Sequence, residues 1–295
     1  MSVLLCDSNC ELWYTRLKEL GVEFISMPYT MDGEEYYYDL GETTDFKGFY
    51  DSVRQGKTPT TLGLNPTDYV EILSKYFSQG EDVLYVSFSH AMSGTFNQLN
   101  VALRELAEIY PDRKCTVFNT NSISLGAGIQ VEHAALLKNS GASDQEVVAF
   151  LQDFTNKSAM YFVVDDLMHL KRGGRLSAAA AFAGTLLALK PVLTVSATGG
   201  LEVFKKISGK KKALSFLVER ITEELDDQNA SIYILDADCQ KDGDYLENAV
   251  KEIFPSANVV RQQIGPVIGT HCGPGTVGLI FVAKQRPIAI APEQE

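Results

Sequence analysis

Positive charge is in short supply in this sequence: 26 lysines and arginines face 38 aspartates and glutamates, leaving a formal net charge of −12 over 295 residues. Affinity for nucleic acid or an anionic membrane comes largely from lysine and arginine neutralising phosphate, so this balance argues against general polyanion binding. Cysteine is scarce as well. The five, Cys6, Cys10, Cys115, Cys239 and Cys272, are odd in number and scattered, which fits free thiols in a reducing compartment better than a disulfide framework, and no CxxC spacing offers a metal site. No basic segment followed by an apolar run opens the chain, so a cytoplasmic location is expected. The longest apolar stretch, residues 176–195, is interrupted by Ser177, Gly184, Lys190 and Pro191. It reads as a buried, alanine-rich helix followed by a strand, not as a membrane span. A phosphate-cradling G-x-x-x-x-G-K-[ST] is absent, and so is the G-x-S-x-G turn that presents a nucleophilic serine. Internal repeats and low-complexity tracts are missing too, and only residues 291–295 look like a tail.

What is present suits a globular protein: 45% hydrophobic and 22% charged residues, at a length that suggests one large or two medium domains. Short apolar, partly β-branched runs at residues 3–6, 24–27, 83–88 and 115–118 each lead into a helical or loop segment, a pattern that predicts a mainly parallel sheet with helices on both faces. Asn65-Pro66 reads as an N-cap with proline in the first turn, placing Tyr69, Ile72, Leu73 and Phe77 on one face. Ser143 followed by Glu146 reads as a capping box opening a helix to Phe154. Beyond a strand at 160–164 the texture changes to a Gly-Gly turn, an alanine-rich helix, an apolar run at 201–207, helices near 210–225 and 245–254, and strands at 232–235 and 277–283. The fold class expected is α/β in two domains, an N-terminal α/β domain over 1–160 and a C-terminal α+β domain over 161–295.

In an open α/β sheet ligands bind beyond the carboxyl ends of the strands, so the loops there are the first candidates. Ser89-His90-Ala91-Met92-Ser93-Gly94-Thr95 precedes a helix beginning near Phe96; its hydroxyls and free N–H groups either hold an anion or simply cap the helix. Gly56 to Gly63 carries three threonines between glycines, a source of hydroxyl donors or a plain surface connection. Leu170-Lys171-Arg172-Gly173-Gly174-Arg175-Leu176-Ser177 brings backbone near a guanidinium, whose fork matches a carboxylate or phosphate. The most concentrated signal is Ile264-Gly265-Pro266-Val267-Ile268-Gly269-Thr270-His271-Cys272-Gly273-Pro274-Gly275-Thr276, four glycines and two prolines around one histidine. Such a composition predicts a tight, non-repetitive path, neither helix nor strand, which serves either as a turn before the last strand or as a mount for His271. Lys205, Lys206, Lys210, Lys211 and Lys212 form a local basic cluster, either a solvated face or a contact for an acidic partner. Hydroxyls, an arginine and a histidine with no evident acid–base pair suit binding better than bond-breaking.

Taken in order, Cys6-Asp7-Ser8, the Thr61 loop, Ser93-Gly94-Thr95, residues 170–177, Leu186 to Leu193, Lys210 to Leu214 and Ile264-Gly-Pro-Val-Ile-Gly-Thr-His271 resemble the DegV family of bacterial fatty-acid-binding proteins across nearly the whole chain. The resemblance implies a long-chain fatty acid in an apolar tunnel between two domains, with no cofactor. It also implies, in some members, a partnership with a separate ATP-dependent fatty acid kinase that makes acyl phosphate for phospholipid synthesis. Carried over by motif, Thr61, Ser93 and His271 bond the carboxylate, with Gly94, Thr95 and Arg175 beside them, and the small-residue run 177–184 flanks the tunnel. Lys205, Lys206 and Lys210 fall where a partner contact is implied.

The sequence departs from the family at Leu62-Gly63-Leu64, where members often read S-Q-P, and at Ser208, where they often carry an arginine. The competing chemical reading is a serine esterase or acyltransferase using Ser93 with His271.

Overall fold

The computed structural model describes residues 2–175, 189–228 and 230–289. The chain begins β1 (Val3–Asp7), α1 (Tyr14–Leu20), β2 (Glu23–Ile25), β3 (Pro28–Met31), β4 (Glu34–Tyr37), α2 (Phe46–Arg54), β5 (Thr60–Thr61) and α3 (Pro66–Phe77). It continues β6 (Val83–Ser87), α4 (Thr95–Ile109), β7 (Cys115–Asn119), α5 (Leu125–Asn139), α6 (Asp144–Phe154), β8 (Ser158–Val163) and α7 (Met168–Arg172). The last part is β9 (Leu189–Val195), β10 (Leu201–Ser208), α8 (Lys210–Glu224), β11 (Ser231–Asp236), α9 (Gln240–Ile253), β12 (Asn258–Gln263), α10 (Pro266–Cys272) and β13 (Val277–Val282). These elements fall into two compact units, Met1–Thr44 with Pro59–Thr155, and Asp45–Thr58 with Asn156–Glu295.

In the first unit the expected parallel sheet is present, in the order β2-β1-β6-β7 with every pairing parallel. The chain goes out from β1 to β2 and returns on the other side to β6, so the order reverses between β1 and β6, the place where open α/β sheets form a crevice. Both expected helix starts hold. Asn65 and Asp68 form a reciprocal capping box with Pro66 in the first turn, burying Tyr69, Leu73 and Phe77, and Ser143 with Glu146 does the same for α6. A small antiparallel sheet, β4-β3-β5, was not foreseen. Its β5 is two residues long and pairs Tyr29 with Thr61 and Thr30 with Thr60, so Thr61 lies on a strand and not in a plain loop.

The second unit is built on a six-stranded sheet in the order β10-β9-β8-β13-β11-β12, parallel only at β11–β12 and otherwise antiparallel. Tyr161, Val163, Leu217, Ile221, Ile234 and Phe281 are among the side chains of its core. The expected strand at the end of the 176–195 run is β9; the helix expected before it, with the run 177–184, lies outside the described residues. Helix α9 begins at Gln240, five residues ahead of the expected start near 245.

The glycine-proline segment corrects an expectation. Residues Pro266–Cys272 are a helix, N-capped at Gly265 with Pro266 in the first turn and ended by Gly273 at φ 74°. Proline is tolerated there because a first-turn N–H has no intrahelical partner, and glycine at the end takes a positive φ with extended ψ, a backbone open to glycine that turns the chain out of the helix. The interior Gly269 is a packing requirement: a Cβ on it would stand 2.6 Å from Tyr50 Oη and 3.0 Å from Phe49 Cε1.

Candidate functional site

The first unit supplies hydroxyls. Strand alternation sends the Thr60 side chain one way, where its Oγ1 meets Thr30 Oγ1 at 2.6 Å, and the Thr61 side chain the other way, half-buried. After β6 the chain makes a single 3-10 turn at His90–Met92, then Ser93 in extended conformation, and α4 begins with no side-chain cap. Ser93 Oγ accepts the Thr95 N–H at 3.2 Å, which leaves the Ser93 proton to donate elsewhere. Thr95 is different. Its buried Oγ1 accepts the Leu64 N–H at 3.2 Å and lies 2.9 Å from Tyr69 Oη, so it fastens the chain just after Thr61 to the start of α4. The Thr61 and Ser93 segments are thereby held by one hydroxyl.

Asp7, at the carboxyl end of β1, anchors the same loop. It accepts from the Phe88 N–H at 3.2 Å, the Tyr85 hydroxyl at 2.9 Å and the Asn9 N–H at 3.0 Å. Burial pushes its carboxyl up to about 6, with those hydrogen bonds pulling the other way. No local motif marks Asp7 as a brace; the signal for it is its place at the end of the first parallel strand.

The second unit supplies nitrogens. Helix α7 ends in Gly173 and Gly174, the latter at φ 71°, and the turn returns the Arg175 N–H to the Leu170 carbonyl at 3.0 Å. The Arg175 guanidinium donates to the Gly173 carbonyl at 2.5 Å. Helix α10 packs on α7 at Gly173, where a Cβ would stand 2.1 Å from His271 Nδ1. Only glycine leaves room for the imidazole. Two residues on, a Cβ on Gly273 would stand 2.3 Å from the His169 ring. Burial, and then the Arg175 charge, pull the His271 pKa down to about 4, so at neutral pH the ring is uncharged and presents one N–H. Burial also lowers the Arg175 pKa, but an arginine starts too high for this to cost it its charge. The pair combines one neutral imidazole and one cation.

Of the basic cluster, Lys205 and Lys206 are exposed and Lys205 lies 4.6 Å from the Phe216 ring centre. Lys210 is engaged within the second unit, by Asp242 at 2.7 Å, Asp165 at 3.1 Å and the Gly275 carbonyl at 2.8 Å. All five cysteines are free thiols. Among the described residues no cluster of ligands suits a metal ion, and no helix is long and apolar enough to cross a membrane.

Residues 2–284 match the model of the DegV family, described as uncharacterised proteins. A DegV domain-containing protein of Clostridium perfringens is 36% identical over 285 residues, 96% of this chain and 98% of its own. Among solved structures, a fatty-acid-binding DegV family protein from Thermus thermophilus superposes with a TM-score of 0.84 at 30% identity, covering 95% of this chain and 99% of its own. DegV of Bacillus subtilis, a fatty acid binding protein, superposes with a TM-score of 0.84 at 26% identity over 96% of this chain and 99% of its own. The chain belongs to the DegV family.

Proposed function

We propose that this protein binds one long-chain fatty acid non-catalytically in an apolar tunnel and presents its carboxylate to a separate ATP-dependent kinase that forms acyl phosphate. The observation that carries the reading is the His271 imidazole, seated against Gly173 without room for a Cβ and kept neutral by burial and Arg175. A carboxylate leaving water requires hydrogen bonds or an opposite charge. In this proposal His271 and Ser93 donate to it, with Thr61 as a second hydroxyl, Gly94 offering its N–H at the start of α4 and Arg175 providing the charge. Thr95 acts by holding Leu64 in place, since its hydroxyl is engaged inside the first unit. The fatty acids bound by the Thermus and Bacillus relatives support the substrate class. Burying about 14 methylenes at about 0.8 kcal/mol each contributes on the order of 11 kcal/mol before ordering costs, so the tail dominates affinity and the head group sets orientation.

The esterase reading runs against the same electrostatics. A serine nucleophile needs a basic imidazole oriented by a carboxylate, whereas burial, and then the Arg175 charge, lower the basicity of His271. The kinase partnership rests on family resemblance, with exposed Lys205 and Lys206 as the contact proposed.

Titration with a long-chain acid tests the carboxylate assignment: His271→Ala is expected to weaken binding at least tenfold, the scale of a lost hydrogen bond to a charged group, and Arg172→Ala to leave it nearly unchanged. Equal, negligible effects would remove His271 from the site.

A further inference from the structure

Helix α2 is an outlier in chain order. Residues Asp45–Thr58 are flanked in sequence by parts of the first unit but pack as part of the second. Phe49, Tyr50 and Val53 form the buried face of the helix, and Asp45 caps its start by accepting the Gly48 N–H. At the other end Arg54 is ion-paired with Asp238 and donates to the Asp238 carbonyl at 2.8 Å. The Tyr50 ring is fully buried, and its hydroxyl donates to the Ile264 carbonyl at 2.7 Å, the residue just before the N-cap of α10. The same hydroxyl sits where a Cβ on Gly269 would stand 2.6 Å away.

Gly269 and His271 are two residues apart, about 200° around a helix axis, so they face nearly opposite sides of α10. Phe49 and Tyr50 close on one side at Gly269, and Gly173 receives the imidazole on the other. Neither contact has slack, because both are made where even one methyl group does not fit. We infer that Tyr50 is a positioning residue for His271: α2 and α7 clamp α10 from opposite sides, and the Tyr50 hydroxyl, by holding the Ile264 carbonyl, sets where the imidazole presents its N–H. The inference rests on the carboxylate role proposed for His271, and its consequence is that a residue touching no ligand controls discrimination between a fatty acid and an uncharged lipid of the same length.

Tyr50→Phe keeps the ring and removes the hydrogen bond. Affinity for a long-chain acid is expected to fall about fivefold, the worth of one such bond, while affinity for the primary alcohol of equal length stays within about twofold, because tail burial is untouched. The His271 ring resonances in nitrogen-15 NMR are expected to shift without ligand. Gly269→Ala is expected to lose more, and adding Tyr50→Phe to it to restore part of the loss, since the atom then closest on the tyrosine side is the ring Cζ at 3.1 Å instead of the oxygen at 2.6 Å. Equal loss for acid and alcohol, or unchanged His271 resonances in Tyr50→Phe, would overturn the positioning role. Failure of the wild-type chain to take up any acid would instead overturn the function proposed above, and the ligand-free resonances would still decide the role of Tyr50.

Discussion

The two units fix their polar side chains by opposite means. In the first, polar atoms are fixed by hydrogen bonds: Asp7 holds Phe88, Thr95 holds Leu64, and Ser93 is braced by Thr95. In the second, the His271 ring is fixed by exclusion, against a glycine where a Cβ would stand 2.1 Å from its Nδ1. A hydrogen-bonded brace fails gradually when one partner is lost, because neighbouring bonds and water compensate. A steric seat fails abruptly, since close-packed interiors leave no volume for an added methyl.

The contrast is sharpest at Gly173. Gly173→Ala is expected to displace the imidazole and lower acid affinity on the order of thirtyfold with the fold retained, since the overpacking cost falls on one movable ring. Calorimetric titration with the acid checks this, and wild-type affinity in Gly173→Ala would break the distinction between seat and brace. Next in size is Thr95→Val, which leaves the buried Leu64 N–H without its acceptor and is expected to lower stability by about 2 kcal/mol, read from the denaturation midpoint, with a smaller loss of acid affinity. A midpoint equal to wild type would show that the brace carries nothing.

Two buried groups, one in each unit, titrate in opposite senses. His271 has a folded pKa of about 4 against an ordinary value of 6.5, so the unfolded chain binds more protons over that window and stability rises with pH from about 4 to 6.5. Asp7 has a folded pKa of about 6 against 3.8; the folded chain binds more protons there, and this group's contribution falls as pH rises through the same range. These two contributions oppose each other over the shared range. His271→Gln removes the imidazole's rising contribution, so the stability of wild type minus that of His271→Gln is expected to rise between about pH 4 and 6.5, by on the order of 3 kcal/mol at most; the lowered pKa values of His90, His133 and His169 act in both chains and cancel in the difference. Chemical denaturation of both chains at stepped pH checks it, and a difference that stays flat over that range would contradict the neutral, buried imidazole. The smallest effect on lipid binding is expected at Lys205→Ala with Lys206→Ala: acid affinity unchanged, and acyl phosphate formation with a family kinase and ATP reduced several-fold, as rim charges govern association rates.

Legibility in the sequence followed locality. Asn65-Pro66 and Ser143 with Glu146 announce their helices because a cap is satisfied within four residues, and the alternation of apolar runs with helical segments was enough for the parallel sheet. Helix α10 was misread because glycine and proline lower intrinsic helix propensity, and what favours the helix is tertiary: Tyr50 on one side, Gly173 on the other. The β4-β3-β5 sheet escaped notice for the same reason, since β5 is two residues whose pairing partners lie about thirty positions away. The membership of α2 in the second unit has no local signal at all. For the site, residue types were visible from loops rich in glycine and hydroxyls, whereas the engagement of Thr95 and Lys210 in internal bonds depends on neighbours distant in sequence.

The central claim is that the chain holds one fatty acid by its carboxylate. Native mass spectrometry of the wild-type and Gly173→Ala chains purified from bacteria tests it most directly. The expected result is a wild-type mass increased by that of a single long-chain acid, with the adduct strongly reduced in Gly173→Ala. A bare wild-type mass that stays bare after incubation with excess acid would contradict the account.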